Sequence, residues 1–142
     1  MISLSPDALR RIRARYDRLD ARAFSKTFFA TLFEELPEVE PLMPPDLAAH
    51  GEYVEAAVAV VIRNLGDLHA LERPLEELGA EHARRGIGPD RLVAAHAVLM
   101  KTMMRLSATR WSAEEEEDWS AAFTALLAPM VRGAARHSAA HD

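Results

Sequence analysis

The sequence contains no cysteine, which removes several kinds of chemistry at once. Without thiols the chain forms no disulfide and supplies no thiol nucleophile. Zinc sites with cysteine ligands, iron–sulfur clusters and thiolate-ligated haem are excluded as well. Aromatic residues make up only 6% of the chain, and six glycines and eight prolines interrupt its 142 residues. Because these glycines and prolines fall mostly at expected helix ends, the remaining stretches are long enough for extended helices.

The chain also lacks an excess of positive charge and a long apolar run. Its 17 Lys and Arg face 22 Asp and Glu, which gives a formal net charge of −5 at pH 7. A negative chain without a basic block is poorly suited to a phosphate backbone, so we expect no nucleic-acid partner. No apolar run approaches the roughly 20 residues of a membrane span, and the first 17 residues are polar and amphipathic, unlike a signal peptide. We therefore expect a cytoplasmic protein with no membrane partner.

What the sequence does contain favours helices. Hydrophobic residues make up 49% of the chain, enough for the core of one domain. Ala, Leu, Glu and Arg dominate between the breaks, and no segment alternates apolar and polar residues between hairpin turns. We therefore predict an all-α single domain over residues 1–142. The predicted helices cover residues 5–19, 21–35, 46–64, a segment ending at 86–88, 89–107 and 113–136, with Pro129 kinking or weakening the last one.

Histidines on apolar helix faces are the strongest indication of a site. His82 follows Leu78 by one turn at the end of a leucine stripe, His50 begins a stripe that includes Val54, and His96 lies within a third. A single imidazole on such a face is usually a core residue that is bonded to a backbone carbonyl. Several such histidines on different helices favour a shared bound group, because neutral imidazole is a common metal ligand.

Among metal groups, haem requires the least beyond what the sequence shows. Zinc needs three or four protein ligands, and no closely spaced histidine pair of the H-E-x-x-H kind is present. A di-iron centre needs paired E-x-x-H motifs, and the sequence has none. Haem needs one strong protein ligand and a large apolar slot, which the abundant Leu, Val, Met and Phe side chains can line.

Three stretches resemble the bacterial single-domain globins of the flavohaemoglobin type. Residues 28–47, FFATLFEELPEVEPLMPPDL, resemble the family pattern F-Y-x-x-L-F-x-x-x-P-x-x-R-P-L-F-P-x-D-M. Residues 64–92 resemble the segment that carries the family's proximal histidine, and residues 118–127 resemble its final helix. The resemblance covers most of the chain and implies a globin fold, a three-over-three helical sandwich around haem b (iron protoporphyrin IX).

The resemblance also implies a role for each matching residue. His82 falls on the proximal iron ligand, and His50, 32 residues earlier, falls on the distal position. His50 would either bind the iron as a sixth ligand or donate a hydrogen bond to a bound gas. Val54 falls on the apolar residue that crowds the gas. Phe29 replaces a tyrosine that hydrogen-bonds oxygen in these relatives, and phenylalanine has no such donor.

Other matching positions depart from the family pattern. Met43 replaces the phenylalanine that wedges against haem, and we interpret it as a flexible filler rather than an iron ligand. Leu92 and Ala134 fall where the family has a tyrosine and a glutamate behind the proximal histidine, so the imidazole is expected to be less anionic. Leu78 is expected to line the haem slot. We interpret His96, where the family tends to have glycine, as an imidazole paired with a carbonyl.

Together these residues predict a globin that reversibly binds O2, NO or CO for carriage, storage or sensing. An NO dioxygenase or a peroxidase-like enzyme on the same scaffold would need an external reductase, and the missing proximal network argues against it. A bis-histidyl electron-transfer globin and a haem-free helical binding module remain alternatives. A monomer and a homodimer are both compatible with the sequence.

Overall fold

The structure, a computed structural model, describes residues 4–141, and within that range it contains helices and no strand. Helix α1 spans Pro6–Asp17, α2 Phe24–Glu35, α3 Leu47–Arg63, α4 Leu68–Arg84, α5 Pro89–Arg105 and α6 Ala113–His141, and short 3₁₀ segments lie at Ala21–Ala23 and Pro37–Leu42. None of these helices, over the described range, is both long enough and apolar enough to cross a membrane.

Helix starts follow the capping signals of the sequence. Ser5 and Asp46 each accept a backbone N–H from three residues further on, at 3.1 Å in both cases. Ser112 and Glu115 form a reciprocal box: the Glu115 N–H donates to Ser112 Oγ at 3.0 Å, and the Ser112 N–H donates to Glu115 Oε1 at 3.2 Å. These bonds satisfy N–H groups that have no partner within the first helical turn.

Helix α6 is longer than the sequence predicts. It continues through Pro129 to His141, so the predicted end near Arg136 is too early. The residues that follow the proline are held against α4: Arg132 Nη2 lies 3.4 Å and Arg136 Nη1 lies 3.0 Å from the carboxylate oxygens of Glu76. Packing against a neighbouring helix therefore offsets the hydrogen bond that the proline removes.

Helices α4 and α6 cross with their backbones in close approach. A Cβ atom on Gly79 would lie 1.9 Å from the Met130 carbonyl oxygen, and one on Gly133 would lie 1.9 Å from the Glu76 carbonyl oxygen. No side chain fits at either position, so glycine on both helices is what permits this crossing. His82 follows Gly79 on α4 by one turn, and the crossing therefore sets its position relative to α6.

Two arginines of α1 form bidentate ion pairs with α6. The Arg15 side chain, only 4% exposed, donates from Nε and Nη2 to the Glu115 carboxylate at 2.6 and 2.9 Å. Arg11 donates in the same bidentate way to Asp118, at 2.6 and 3.1 Å. Forked pairs of this kind fix orientation as well as distance. They complete an arrangement in which α6 contacts α1, α4 and α5, while α2 contacts α3 and α5.

Candidate functional site

A cavity of about 200 Å³ lies in the core between α2, α3, α4, α5 and α6. Protein interiors leave few voids larger than a water molecule, so a cavity of this size indicates a binding site. Its walls are mainly Leu, Val, Ile, Phe and Met side chains. All seven site residues predicted from the sequence line it, namely Phe29, Met43, His50, Val54, Leu78, His82 and Leu92.

His82 lies in the last turn of α4, half-buried, with one ring nitrogen already engaged. Its Nδ1 lies 2.7 Å from the Leu78 carbonyl oxygen, one turn earlier. Because a carbonyl only accepts, the proton is on Nδ1, and Nε2 keeps its lone pair in the neutral ring. Gly86, at φ +91°, ends the helix, and the Ile87 N–H closes it on the His82 carbonyl at 2.9 Å. The imidazole is thus held in the tautomer that coordinates a metal through Nε2.

His50 lies in the first turn of α3, between two aromatic rings. Its ring stacks on Phe29, with centroids 5.9 Å apart, and on Tyr53, with centroids 6.3 Å apart. Burial lowers the pKa of His50, and the nearby Arg85 guanidinium and His82 ring lower it further. At pH 7 the ring is therefore neutral, with one N–H donor and one lone pair. Phe29 is buried beside it and brings no hydrogen-bonding group.

Five lining residues carry polar side chains, and none of the five is acidic: His50, Tyr53, His82, Arg91 and His96. The sequence analysis did not predict that Tyr53 and Arg91 would belong to the site. Tyr53 lies one turn after His50 on the same face of α3, and that spacing is the signal that would have found it. Arg91, in the first turn of α5, is anchored by a 2.8 Å hydrogen bond from Nη1 to the Gly86 carbonyl.

His96 confirms one expectation and adds an unexpected feature. Its Nδ1 lies 3.1 Å from the Leu92 carbonyl oxygen, which is the carbonyl pairing predicted for a core imidazole. The ring also lines the cavity, together with His50 and His82. Burial lowers the pKa of His96, and the Leu92 carbonyl bond opposes this effect in part.

The site suits a metal group that brings most of its own ligands. Among the described residues, no three His, Cys, Asp or Glu side chains are grouped so that they can hold a bare metal ion. One imidazole with a free Nε2 in a large apolar cavity instead matches the needs of haem, which takes one strong axial ligand from the protein.

The sequence model of the globin family matches residues 21–130. This chain belongs to the globin family. The globin fold packs its helices around a haem pocket, so membership of this family implies haem binding, and the apolar lining of the cavity suits that group.

Individual relatives agree with this assignment. The chain is 25% identical over 136 residues to a leghemoglobin from Psophocarpus tetragonolobus. This alignment covers 85% of this chain and 91% of the relative. It is 26% identical over 118 residues to a Casuarina glauca protein named anaerobic nitrite reductase HBII. This alignment covers 72% of this chain and 74% of the relative. A bacterial globin structure from Campylobacter jejuni superposes with a TM-score of 0.79 over 95% of this chain and 99% of that one, at 14% identity. The predicted all-α globin fold is therefore confirmed.

Proposed function

We propose that this globin binds haem b and reversibly binds a diatomic gas, O2, NO or CO, for carriage, storage or sensing. In this proposal His82 is the axial iron ligand and His50 is the distal histidine. The observation that carries it is the His82 ring, whose Nδ1 is bonded to the Leu78 carbonyl at 2.7 Å inside the apolar cavity. That bond leaves Nε2 as the one ring nitrogen available to iron.

The lining residues would hold haem and keep water out. Haem, when bound, supplies an iron with one coordination position open to a gas. Arg91 is a lining residue with a permanently charged side chain, and it would pair with a haem carboxylate. The many apolar side chains exclude water from the gas-binding side, which favours reversible binding over oxidation of the iron.

The surroundings of His82 favour gas binding over oxidative catalysis. Its Nδ1–H donates to a neutral backbone carbonyl, and none of the described residues that line the cavity carries a carboxylate. A carboxylate partner would make the imidazole more basic and more electron-donating, as peroxide cleavage requires. This observation supports a carrier, store or sensor over a peroxidase-like enzyme or an NO dioxygenase with an external reductase.

His50 supports two modes of action. As a neutral ring it can donate an N–H to a gas that carries partial negative charge, and such a bond contributes about 1.5–3 kcal/mol. It can instead offer its lone pair to the iron, which would give a bis-histidyl globin suited to electron transfer. The second candidate is favoured by a specific feature, the placement of two histidines on different helices, His50 and His82, in one cavity.

The first experiment measures haem uptake and visible spectra of the purified protein and of matched variants. We expect the wild-type protein to bind haemin and to give ferric, ferrous and ferrous-CO spectra, whereas His82→Ala should fail to retain ferrous haem. His69→Ala is the control, because His69 lies on the same helix with 76% of its side chain exposed. A colourless wild-type protein that takes up no haemin would overturn the proposal, and unchanged haem retention in His82→Ala would overturn the ligand assignment.

A His50→Ala variant separates the two modes of the distal histidine. If His50 donates a hydrogen bond, the wild-type ferrous protein is five-coordinate and the variant releases O2 faster. If His50 binds the iron, the wild-type ferrous spectrum is six-coordinate and low-spin, and the variant becomes five-coordinate. Cell fractionation and size-exclusion chromatography test the accompanying proposals of a cytoplasmic location and of a monomer or homodimer.

A further inference from the structure

Helix α5 carries a second apolar face, which lies outside the cavity lining. Val93, Ala97, Met100 and Met104 follow one another at intervals of four, three and four positions, so they form a stripe on one side of the helix. Val93 is 51% exposed and Met104 39%, Ala97 is exposed, and Met100 is half-buried. An apolar stripe with this spacing is the seam through which two helices of a coiled coil pack.

The α5 stripe lies in an uncharged part of a highly charged chain. Positions 92–100, between Arg91 and Lys101, contain no Asp, Glu, Lys or Arg, although charged residues make up 27% of the sequence. On α1, by comparison, most of the exposed positions are charged, namely Asp7, Arg10, Arg13 and Asp17. Because a chain with a net charge of −5 repels its own copies, contact between copies is most favourable where the facing surfaces are uncharged.

Opposite charges flank the two ends of the α5 stripe. Asp90 is exposed, and Lys101 lies 11 positions later, roughly 16 Å along the helix. Eleven positions are close to three full turns, so both side chains lie along the same edge of the stripe. Lys101 pairs with Glu35 of its own chain, and 48% of its side chain remains exposed. In an antiparallel pair of α5 helices with a two-fold axis level with residues 95–96, Asp90 of each copy lies beside the partner's Lys101.

A groove between α5 and α6 extends this face. Met100 and Met104 form one side of it, and the other side consists mainly of short side chains of α6 with two glutamates: Ala113, Glu116, Glu117, Ser120, Ala121 and Thr124. Methionine adapts its shape to a partner, which suits it to such a surface. The glutamates lie beside Met104, and the same two-fold axis places them near the first turn of the partner's α5, where a helix favours negative charge.

The face is large enough for a reversible interface. Helix α5 has 17 residues and is about 26 Å long, so two neighbouring helices of about 10 Å diameter present roughly 500 Å² per copy. Two copies then bury about 1,000 Å², the smallest area expected of a specific interface.

We propose that the chain forms a homodimer in which α5 packs antiparallel on α5 of a second copy, with α6 completing the interface. The occupant is a second copy because the face is complementary to itself. Under the two-fold axis the apolar stripe meets an apolar stripe, and Asp90 meets the partner's Lys101 twice, as an isologous interface requires. Of the monomer and the homodimer considered above, we therefore expect the homodimer, with or without haem.

Sedimentation velocity over a range of protein concentrations tests the face. The wild-type protein should reach a mass of about 32 kDa, twice the 15.8 kDa of the chain. Val93→Glu places like charges close to the two-fold axis and should weaken the dimer by about a hundredfold or more. Val60→Glu is the matched control, because Val60 is an equally exposed valine, at 46%, on α3. That variant should dimerise within about threefold of wild type.

Charge reversal tests the antiparallel register. In Asp90→Lys alone or Lys101→Asp alone, both pairs across the axis carry like charges, so each variant should dimerise about tenfold more weakly than wild type. In an equimolar mixture of the two variants, each lysine faces an aspartate of the other chain. The mixture should therefore form a heterodimer with an affinity within about threefold of the wild-type dimer.

Three results would overturn this interface. These are a wild-type protein that stays monomeric, equal losses in Val93→Glu and Val60→Glu, and a mixture that associates no better than the single variants. Haem uptake by a monomeric wild-type protein would refute the dimer and leave the proposed function intact. A dimer that takes up no haemin would do the reverse, so the two failures are distinguishable.

Discussion

The glycine pair at the crossing of α4 and α6 gives the sharpest test of the fold. Replacing Gly79 or Gly133 with alanine places a methyl group 1.9 Å from a backbone carbonyl oxygen of the opposite helix. Real Cβ contacts essentially never fall below 3.0 Å, so the helices must separate by more than 1 Å. The obstructing atoms belong to backbone, and no side-chain rotation can relieve the clash.

The expected loss of stability combines opposing effects. Alanine favours a helix over glycine by up to about 1 kcal/mol. Overpacking in a core costs about 1–3 kcal/mol, and the upper end applies here because two rigid helices must move. Separation also removes dispersion contacts along the interface. We therefore expect each substitution to lower the free energy of unfolding by about 2 kcal/mol or more, out of a total of about 5–15 kcal/mol for an ordinary domain.

Urea unfolding followed by far-UV circular dichroism measures this loss, with Gly88→Ala as the matched control. A Cβ on Gly88 meets nothing within 4 Å, so that variant should stay within about 1 kcal/mol of wild type. In Gly79→Ala/Gly133→Ala the same separation relieves both clashes, so the double variant should lose clearly less than the sum of the single losses. If the two losses simply added, the inference that one separation of α4 and α6 relieves both clashes would be wrong. A stabilised Gly133→Ala would refute the close approach altogether.

Two further predictions concern the distal pocket and the link between α1 and α6. Phe29→Tyr should slow O2 release from the haem-loaded protein by about tenfold in stopped-flow measurements, because the new hydroxyl can donate to the gas; unchanged release would mean that it points elsewhere. The Arg15 guanidinium lowers the pKa of Glu115 to about 2 from its ordinary 4.5, so this pair stabilises the fold above pH 4.5 and its contribution is lost as pH falls towards 2. Arg15→Met should therefore lose on the order of 1 kcal/mol at neutral pH and less near pH 2; an equal loss at both pH values would contradict this origin.

The sequence predicts the helices well where local signals define them. Ser5, Asp46 and the box at Ser112–Glu115 act through side chains that lie within three residues of the groups they cap, so the helix starts can be read directly from the sequence. The predicted end of α6 near Arg136 is too early because contacts of its last turns with α4, such as the ion pair of Arg136 with Glu76, cannot be seen in the local sequence.

The site was predictable in its apolar walls and less so in its polar groups. The helical stripes placed His50, Val54, Leu78, His82 and Leu92 on apolar faces, and the family resemblance added Phe29 and Met43; all seven line one cavity. The sequence analysis missed Arg91 because a charged residue in the first turn of a helix is typical of a surface position, and it missed Tyr53 although its one-turn spacing from His50 was available as a signal. Likewise, Gly79 and Gly133 are separated by 54 positions, and nothing local shows that they meet.

The same kind of local hydrogen bond determines which ring nitrogen carries the proton in His82 and in His96. His82 and His96 each bond through Nδ1 to the carbonyl four residues earlier on the same helix. That acceptor is backbone, so no substitution at Leu78 or Leu92 removes it, and the tautomer of each ring follows from helix geometry alone. In each ring the proton is therefore on Nδ1, and Nε2 keeps its lone pair when the ring is neutral. Since iron takes one axial ligand from a proximal histidine, only one of these two nitrogens is needed for the proposed haem site.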